Sequence, residues 1–173
     1  MVDRAAASDL PGTATSEDAD RAVAPVSGVV LRFGGARYAV DMAAVAEVVP
    51  IPVITRLPGV PNWLAGVVNW RGRVLPVVDL RPLAGAEQAP LPTSARLVVL
   101  SHEDHEVGVL ADFVPGLLEA SGETVDAMPA TVASGIAPLV HGVVDHDGPV
   151  ALLDAAAVIR LRDQLPSARR GRT

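Results

Sequence analysis

Histidine and carboxylate side chains are the first groups in this chain that could do chemistry. The segment His102-Glu103-Asp104-His105-Glu106 collects imidazoles and carboxylates at consecutive positions. Both groups are common ligands of zinc. Neighbouring side chains in a turn point in different directions, however, and no distant ligand set accompanies the segment. We therefore expect a solvated hairpin turn between Leu100 and Val107, and no metal site.

Three aspartates, Asp79, Asp112 and Asp154, each follow an apolar strand. They could form an acid–base cluster, so an enzyme that uses Asp79, Asp112 and the turn 102–105 is one interpretation. Aspartate is also favoured at strand ends and helix N-termini, where it accepts hydrogen bonds from free backbone N–H groups. We favour this structural interpretation and expect neither catalysis nor a cofactor. No nucleotide-binding, Gly-x-Ser-x-Gly or His-Glu-x-x-His motif occurs in the sequence.

Composition narrows the function classes further. The chain has 173 residues, 50% of them hydrophobic, no cysteine and a net charge of −6. Thiol chemistry and disulfides are thereby excluded, and an acidic chain offers no basic face to nucleic acid. No apolar run approaches the ~20 residues that span a bilayer. Residues 1–25 do not resemble a signal peptide. We expect a cytoplasmic protein without direct membrane insertion.

A repeated hairpin is the strongest pattern in the sequence. The segments 66–80 and 142–154 share a leading Gly-Val-Val, a turn glycine six positions later and a closing aspartate after an apolar strand. The repeat extends outward, because Tyr38-Ala39-Val40 matches Val107-Gly108-Val109. The repeat therefore predicts that each half of the chain contains, in order, a hairpin, a bent strand, a connection and a second hairpin. Antiparallel strands of that number lose their edges best by closing into a small barrel.

The elements are placed by turn residues and valine-rich runs. Residues 1–25 read as a disordered tail, and 163–173 as a flexible basic tail. Strands are expected over 27–33, 37–41, 64–80 (a hairpin), 96–100, 106–110, 113–119 and 140–153 (a hairpin). Residues 42–49 fit either a helical turn or a bent strand. Asp154 should cap a terminal helix over 155–162. The two tryptophans, Trp63 and Trp70, could anchor an interface or plug a barrel end.

These motifs together resemble the CheW family of chemotaxis coupling proteins. The resemblance covers residues 26–161. It implies a mainly β fold of two five-stranded SH3-like barrel subdomains around a shared hydrophobic core, intertwined as one domain over 26–162. The residues that carry it are Tyr38–Asp41, Val45–Val48, Ile54–Pro58, Pro61–Val68, Asn69–Gly72, Pro76–Arg81, Val107–Val109 and Gly142–Val144.

The resemblance also implies a function. It is that of a non-catalytic adaptor that links the cytoplasmic tip of a transmembrane methyl-accepting chemoreceptor to the regulatory domain of a CheA-type histidine kinase. Such a protein would work in the cytoplasm, within membrane-bound receptor arrays. A CheW-like coupler in a chemosensory pathway with a non-flagellar output is the alternative within the same class.

Candidate interface residues follow from the same resemblance. Glu47 and Arg71 are implied to be coupled beside the receptor site, where the planar guanidinium can match a carboxylate. Trp70 stands where the family has leucine. An apolar groove between the barrels is implied to take a receptor helix. The residues expected to line it are Val45, Gly66, Gly72, Gly108, Val114 and Leu117.

Overall fold

The part of the chain that the structure describes folds into two β-sheets and one short α-helix. The computed structural model describes residues 25–120, 125–126 and 132–164; residues 1–24 and 165–173 of the predicted tails lie outside this part. The strands are β1 (Val26–Phe33), β2 (Ala36–Asp41), β3 (Val45–Pro50), β4 (Leu64–Trp70), β5 (Arg73–Val78), β6 (Arg96–His102), β7 (His105–Ala111), β8 (Phe113–Ala120), β9 (Val140–Asp145) and β10 (Pro149–Leu153). The helix is α1 (Ala155–Arg160), and 3-10 turns span Met42–Ala44, Ala137–Leu139 and Leu161–Gln164.

The apolar residues form one shared core and two smaller ones. In β1, Val29 and Leu31 face the shared core, whereas Val30 faces a smaller core formed by the strands of its own sheet. In β6, Leu100 faces the shared core, and Val99 faces the smaller core formed by the strands of the other sheet. Side chains alternate along a strand, so both faces of β1 and β6 are covered. This double burial explains why the two strands are continuous apolar runs.

Each sheet has five strands and contains one parallel pair. Sheet A has the order β8-β1-β2-β10-β9, and sheet B has the order β3-β6-β7-β5-β4. The prediction of two five-stranded units in a mainly β fold is confirmed. The expectation that the strands are all antiparallel was wrong: β10 runs parallel to β2, and β5 runs parallel to β7. A parallel neighbour is possible because long connections, rather than tight turns, join these strands.

The two sheets exchange strands between the sequence repeats. Sheet A takes β1 and β2 from the first repeat and β8, β9 and β10 from the second, while sheet B takes the remainder. Strands β1 to β5 of the first repeat correspond in order to β6 to β10 of the second. Exchanging corresponding strands converts the strand order of sheet A into that of sheet B. The parallel pairings agree too, since Val77 lies opposite Gly108 and Leu152 lies opposite Ala39. The pattern is what a duplicated unit with approximate two-fold symmetry produces.

Single bridges, and not continuous ladders, connect the two edges of each sheet. The connection after β3 pairs with β4 through Thr55 and Val67, with N–O distances of 2.8 and 2.9 Å. The connection after β8 pairs with β9 in the same way, through Asp126 and Val143. Each sheet is therefore an open barrel, and one isolated bridge of two hydrogen bonds crosses the seam between its edges.

The terminal helix lies against the shared core. Asp154 caps α1 by accepting a hydrogen bond from the backbone N–H of Ala157 at 3.1 Å, which confirms the predicted cap. Ala157, Val158 and Ile159 are buried in the shared core. The regular helix ends at Arg160, and the 3-10 turn continues it beyond the predicted end at residue 162. Trp63 is also buried in this core, so it fills the interior rather than anchoring an interface.

Candidate functional site

An ion pair joins the β4–β5 turn to the edge strand β3. Arg71 Nη2 donates to Glu47 Oε2 at 2.5 Å. Arg71 and Gly72 occupy the turn with φ of 51° and 80°, the positive values that a two-residue type I′ hairpin requires. Asn69 fixes the turn by accepting a hydrogen bond from Gly72 N at 3.1 Å. Since β3 and β4 are opposite edges of sheet B, the pair spans the seam of that barrel.

The turn places the backbone of Arg71 in a strained conformation. Arginine is not a residue that readily adopts positive φ, and glycine or asparagine would be less strained. Its guanidinium carbon lies 5.3 Å from the centroid of the Trp70 ring, within cation–π range. The side chain nevertheless remains 72% exposed. The backbone of Arg71 is thus strained, and its side chain contacts Glu47 and Trp70 yet remains accessible to solvent. This combination is typical of functional positions.

Strands β3 and β8 have apolar side chains that are only partly buried. Val45 on β3 and Val114 on β8 are half-buried, and both pack against the shared core. Leu117 on β8 is 58% exposed, and Val48, its counterpart in the first repeat, is 38% exposed. Both edge strands therefore contact the shared core and also expose apolar side chains to solvent. Glu47 lies on β3, two positions after Val45.

The three candidate glycines lie in different surroundings. Gly72 is exposed in the turn, with open space where a Cβ would be. A Cβ on Gly66 would collide with the backbone carbonyl of Thr55, and a Cβ on Gly108 would lie 2.7 Å from a methyl of Leu97. Gly66 and Gly108 are both buried. They allow close packing within the chain, so the structure brings only Gly72 together with the exposed Glu47–Arg71 pair.

A buried charge cluster, which was not among the predicted features, follows β5. Asp79 accepts hydrogen bonds from Arg81 through both oxygens, from Nε at 2.9 Å and from Nη2 at 2.8 Å. Gln88 donates to the same carboxylate at 3.0 Å. Arg81 also donates to the Ala89 carbonyl at 2.8 Å and lies 3.6 Å from Asp112. The only hint in the sequence is the Asp-x-Arg spacing after a buried strand.

Comparison with known proteins identifies the family. The CheW-like domain matches residues 27–163, most of the chain. The chain belongs to this family. It is a CheW-like coupling or scaffold protein, and the family is one of adaptors rather than of known catalysts.

The relatives of this CheW-like chain support the same assignment. It is 36% identical over 128 residues to the protein PilI of Pseudomonas aeruginosa, covering 74% of this chain and 72% of that protein. It is 26% identical over 132 residues to the chemotaxis protein CheW of Bacillus subtilis, covering 76% and 85%. The crystal structure of the scaffolding protein TtCheW from Thermoanaerobacter tengcongensis superimposes with a TM-score of 0.67 at 22% identity, over 76% of this chain and 90% of that one. That likeness establishes the fold.

The chemistry-bearing residues of the CheW-like chain are dispersed. Asp79 and Arg81 line a hollow of about 790 Å³, whereas His102 lies with His141 in a separate hollow of about 370 Å³. Within residues 25–120, 125–126 and 132–164, no three His, Asp or Glu side chains are arranged to hold a metal ion. The same residues contain no helix long and apolar enough to cross a membrane. Asp79 and Asp112 both approach Arg81, but the histidine turn does not join them.

Asp79 should make the stability of the CheW-like fold sensitive to acid. Burial raises the pKa of its carboxyl, but the hydrogen bonds from Arg81 and Gln88 outweigh burial, so the pKa lies below its usual value. A carboxyl whose folded pKa is depressed stabilises the protein above its unfolded pKa of about 3.9. That contribution is lost as the pH falls from about 5 through the folded pKa.

We expect the free energy of unfolding to fall between about pH 5 and pH 3, and less steeply in Asp79→Asn. Urea titrations at a series of pH values measure both slopes. Equal slopes for the variant and the wild type would contradict the assignment of this acid sensitivity to Asp79.

Proposed function

We propose that this chain is a non-catalytic coupling protein that binds the cytoplasmic tip of a methyl-accepting chemoreceptor and the regulatory domain of a CheA-type histidine kinase. It holds both in one geometry inside cytoplasmic, membrane-associated receptor arrays. The chain itself then needs no covalent chemistry. A change of state in the receptor shifts the kinase population only as far as the contacts discriminate between the two states.

The exposed Glu47–Arg71 pair at β3, the strand that also carries the half-buried Val45, is the observation that carries this proposal. A receptor helix has an apolar face and a polar flank, and such helices dock into apolar grooves with charged residues at the rim. Val45, Val114 and Leu117 supply apolar area, while Arg71 supplies exposed donors at one side. Gly72 adds no side chain, so a partner backbone can approach the turn closely.

The buried glycines contribute to the same proposal indirectly. Gly66 and Gly108 pack against Thr55 and Leu97, and this packing fixes the positions of β4 and β7 in sheet B. We assign them the role of shaping the site and not of touching the partner. Substituting them would change binding through the fold.

The Arg71→Asn variant separates binding from stability. Asparagine tolerates the positive φ of the turn but removes the guanidinium, and an exposed ion pair is worth less than about 1 kcal/mol. We expect an unchanged melting temperature, and about tenfold weaker binding of a receptor-tip fragment, which corresponds to about 1.4 kcal/mol. Titration calorimetry with the receptor and kinase fragments of the same genome measures the affinity.

A second exposed ion pair provides the matched control. Arg73 donates to Glu106 at 2.6 Å, from strand β5 to strand β7. We expect Arg73→Gln to leave receptor binding at the wild-type level, because this pair links β5 to β7 and not to strand β3, which carries Glu47. Equal losses in Arg71→Asn and Arg73→Gln would show that charge in general, and not the Glu47–Arg71 pair, supports binding. Failure of the wild-type chain to bind either fragment would refute the proposed function.

A further inference from the structure

Trp70 has an environment that the coupling function alone does not explain. The ring is half-buried and packs against the interior core of sheet B, and this packing fixes its orientation. It is the last residue of β4 and lies opposite Arg73. The additional property of tryptophan is its π face, the strongest cation acceptor among the side chains.

The backbone turn and two side-chain contacts restrain the neighbouring Arg71. The type I′ turn fixes its backbone at φ 51°. Glu47 Oε2 accepts from Nη2 at 2.5 Å. The Trp70 ring lies 5.3 Å from the guanidinium carbon. An exposed arginine normally samples many rotamers and loses that freedom when a partner binds, so these restraints remove part of the entropy cost beforehand.

We infer that Trp70 is a positioning residue, which holds the Arg71 guanidinium in its partner-binding orientation before the partner arrives. The guanidinium then offers its remaining N–H donors to a carboxylate or a backbone carbonyl of the partner, in a fixed direction. This inference deepens the proposed function and rests on it for the identity of the partner. It makes Trp70 a determinant of partner choice, since a pre-oriented donor favours partners with an acceptor at one place.

The first test needs no partner. Nuclear magnetic resonance relaxation of the Arg71 Nε–Hε group reports the mobility of the guanidinium on the fast timescale. We expect a well-ordered group in the wild type, a clearly more mobile one in Trp70→Leu and an intermediate one in Trp70→Phe, which retains a weaker ring. Trp70→Phe also tests the inference if the leucine variant packs poorly. The same order parameter in all three proteins would overturn the inference.

The second test is a double-mutant cycle on binding. We expect Trp70→Leu to weaken binding of the receptor-tip fragment by about two- to fivefold, the range of an exposed cation–π contact. In the Arg71→Asn background the same change should have no effect. An equal loss in both backgrounds would mean that Trp70 contacts the partner itself, and the positioning role would be wrong. If the wild type binds no receptor fragment, the proposed function fails, while the relaxation data still decide whether Trp70 orders Arg71.

Discussion

Replacing Arg81 by methionine is expected to lower the free energy of unfolding by about 3–5 kcal/mol. The side chains of Arg81 and Asp79 are 8% and 4% exposed, and the substitution leaves a buried carboxylate without its cation. The methionine also cannot donate to the Ala89 carbonyl, so the loop after β5 loses an attachment to the barrel. Urea-induced unfolding followed by circular dichroism at pH 7 measures the loss.

A double variant shows whether the loss comes from the unpaired charge. Combining Arg81→Met with Asp79→Leu removes both charges, and replacing a buried ion pair by apolar side chains is often close to neutral. We expect the double variant to be more stable than Arg81→Met alone. If the two single losses simply add, Asp79 and Arg81 do not stabilise each other and the explanation is wrong.

The Gly66→Ala variant is expected to be the second most damaging of the changes considered. A methyl at this position would collide with the Thr55 carbonyl, which belongs to the bridge that crosses the seam of sheet B. The backbone at Gly66 has φ +145°, which adds strain of about 1–3 kcal/mol for any side chain. Overpacking adds about 1–3 kcal/mol more. Chemical denaturation reports the sum.

Gly116 offers a matched control for the strain. Its φ is +151°, close to that of Gly66, but no atom lies within 4 Å of the position that a Cβ would take. Gly116→Ala therefore carries the backbone penalty without the collision. We expect Gly66→Ala to be less stable than Gly116→Ala by about 2 kcal/mol. Equal stabilities would mean that the Thr55 segment moves aside without cost.

The individual hairpins were predictable because their signals are local. Gly34 and Gly35 mark one tight turn, and the alternation of valines marks the strands on each side. Which strands become neighbours was not predictable in the same way. Val48-Val49 on β3 and Leu117-Leu118 on β8 present the same pattern to β1, so nothing in either run indicates that β1 pairs with β8. Packing of the whole domain selects between copies that are locally equivalent.

For the candidate site, the family motifs predicted one contact between exposed residues, and they did not predict the features that packing decides. The contact between Glu47 and Arg71 joins residues that the resemblance had already coupled. The burial of Gly66 was not predictable, because the sequence does not reveal that the connection after β3 folds back over β4. The burial of Arg81 was not predictable, because Ala89 and Asp112 reach it only after the loop that follows β5 and the end of β7 have folded around it. Long-range folding of irregular segments is what the motifs leave undetermined.

The strand exchange also has a consequence for synthesis on the ribosome. Sheet B uses an unbroken stretch of chain, from Val45 to Ala111, whereas sheet A joins the first two strands to the last three. Val30 and Ala39 emerge early, yet the side chains that cover them in the core of sheet A lie on β8, β9 and β10, which are translated last. This face of the first hairpin stays uncovered until Leu152 has left the exit tunnel. The nascent chain is thus most exposed to aggregation, and to chaperones, just before its final strands arrive.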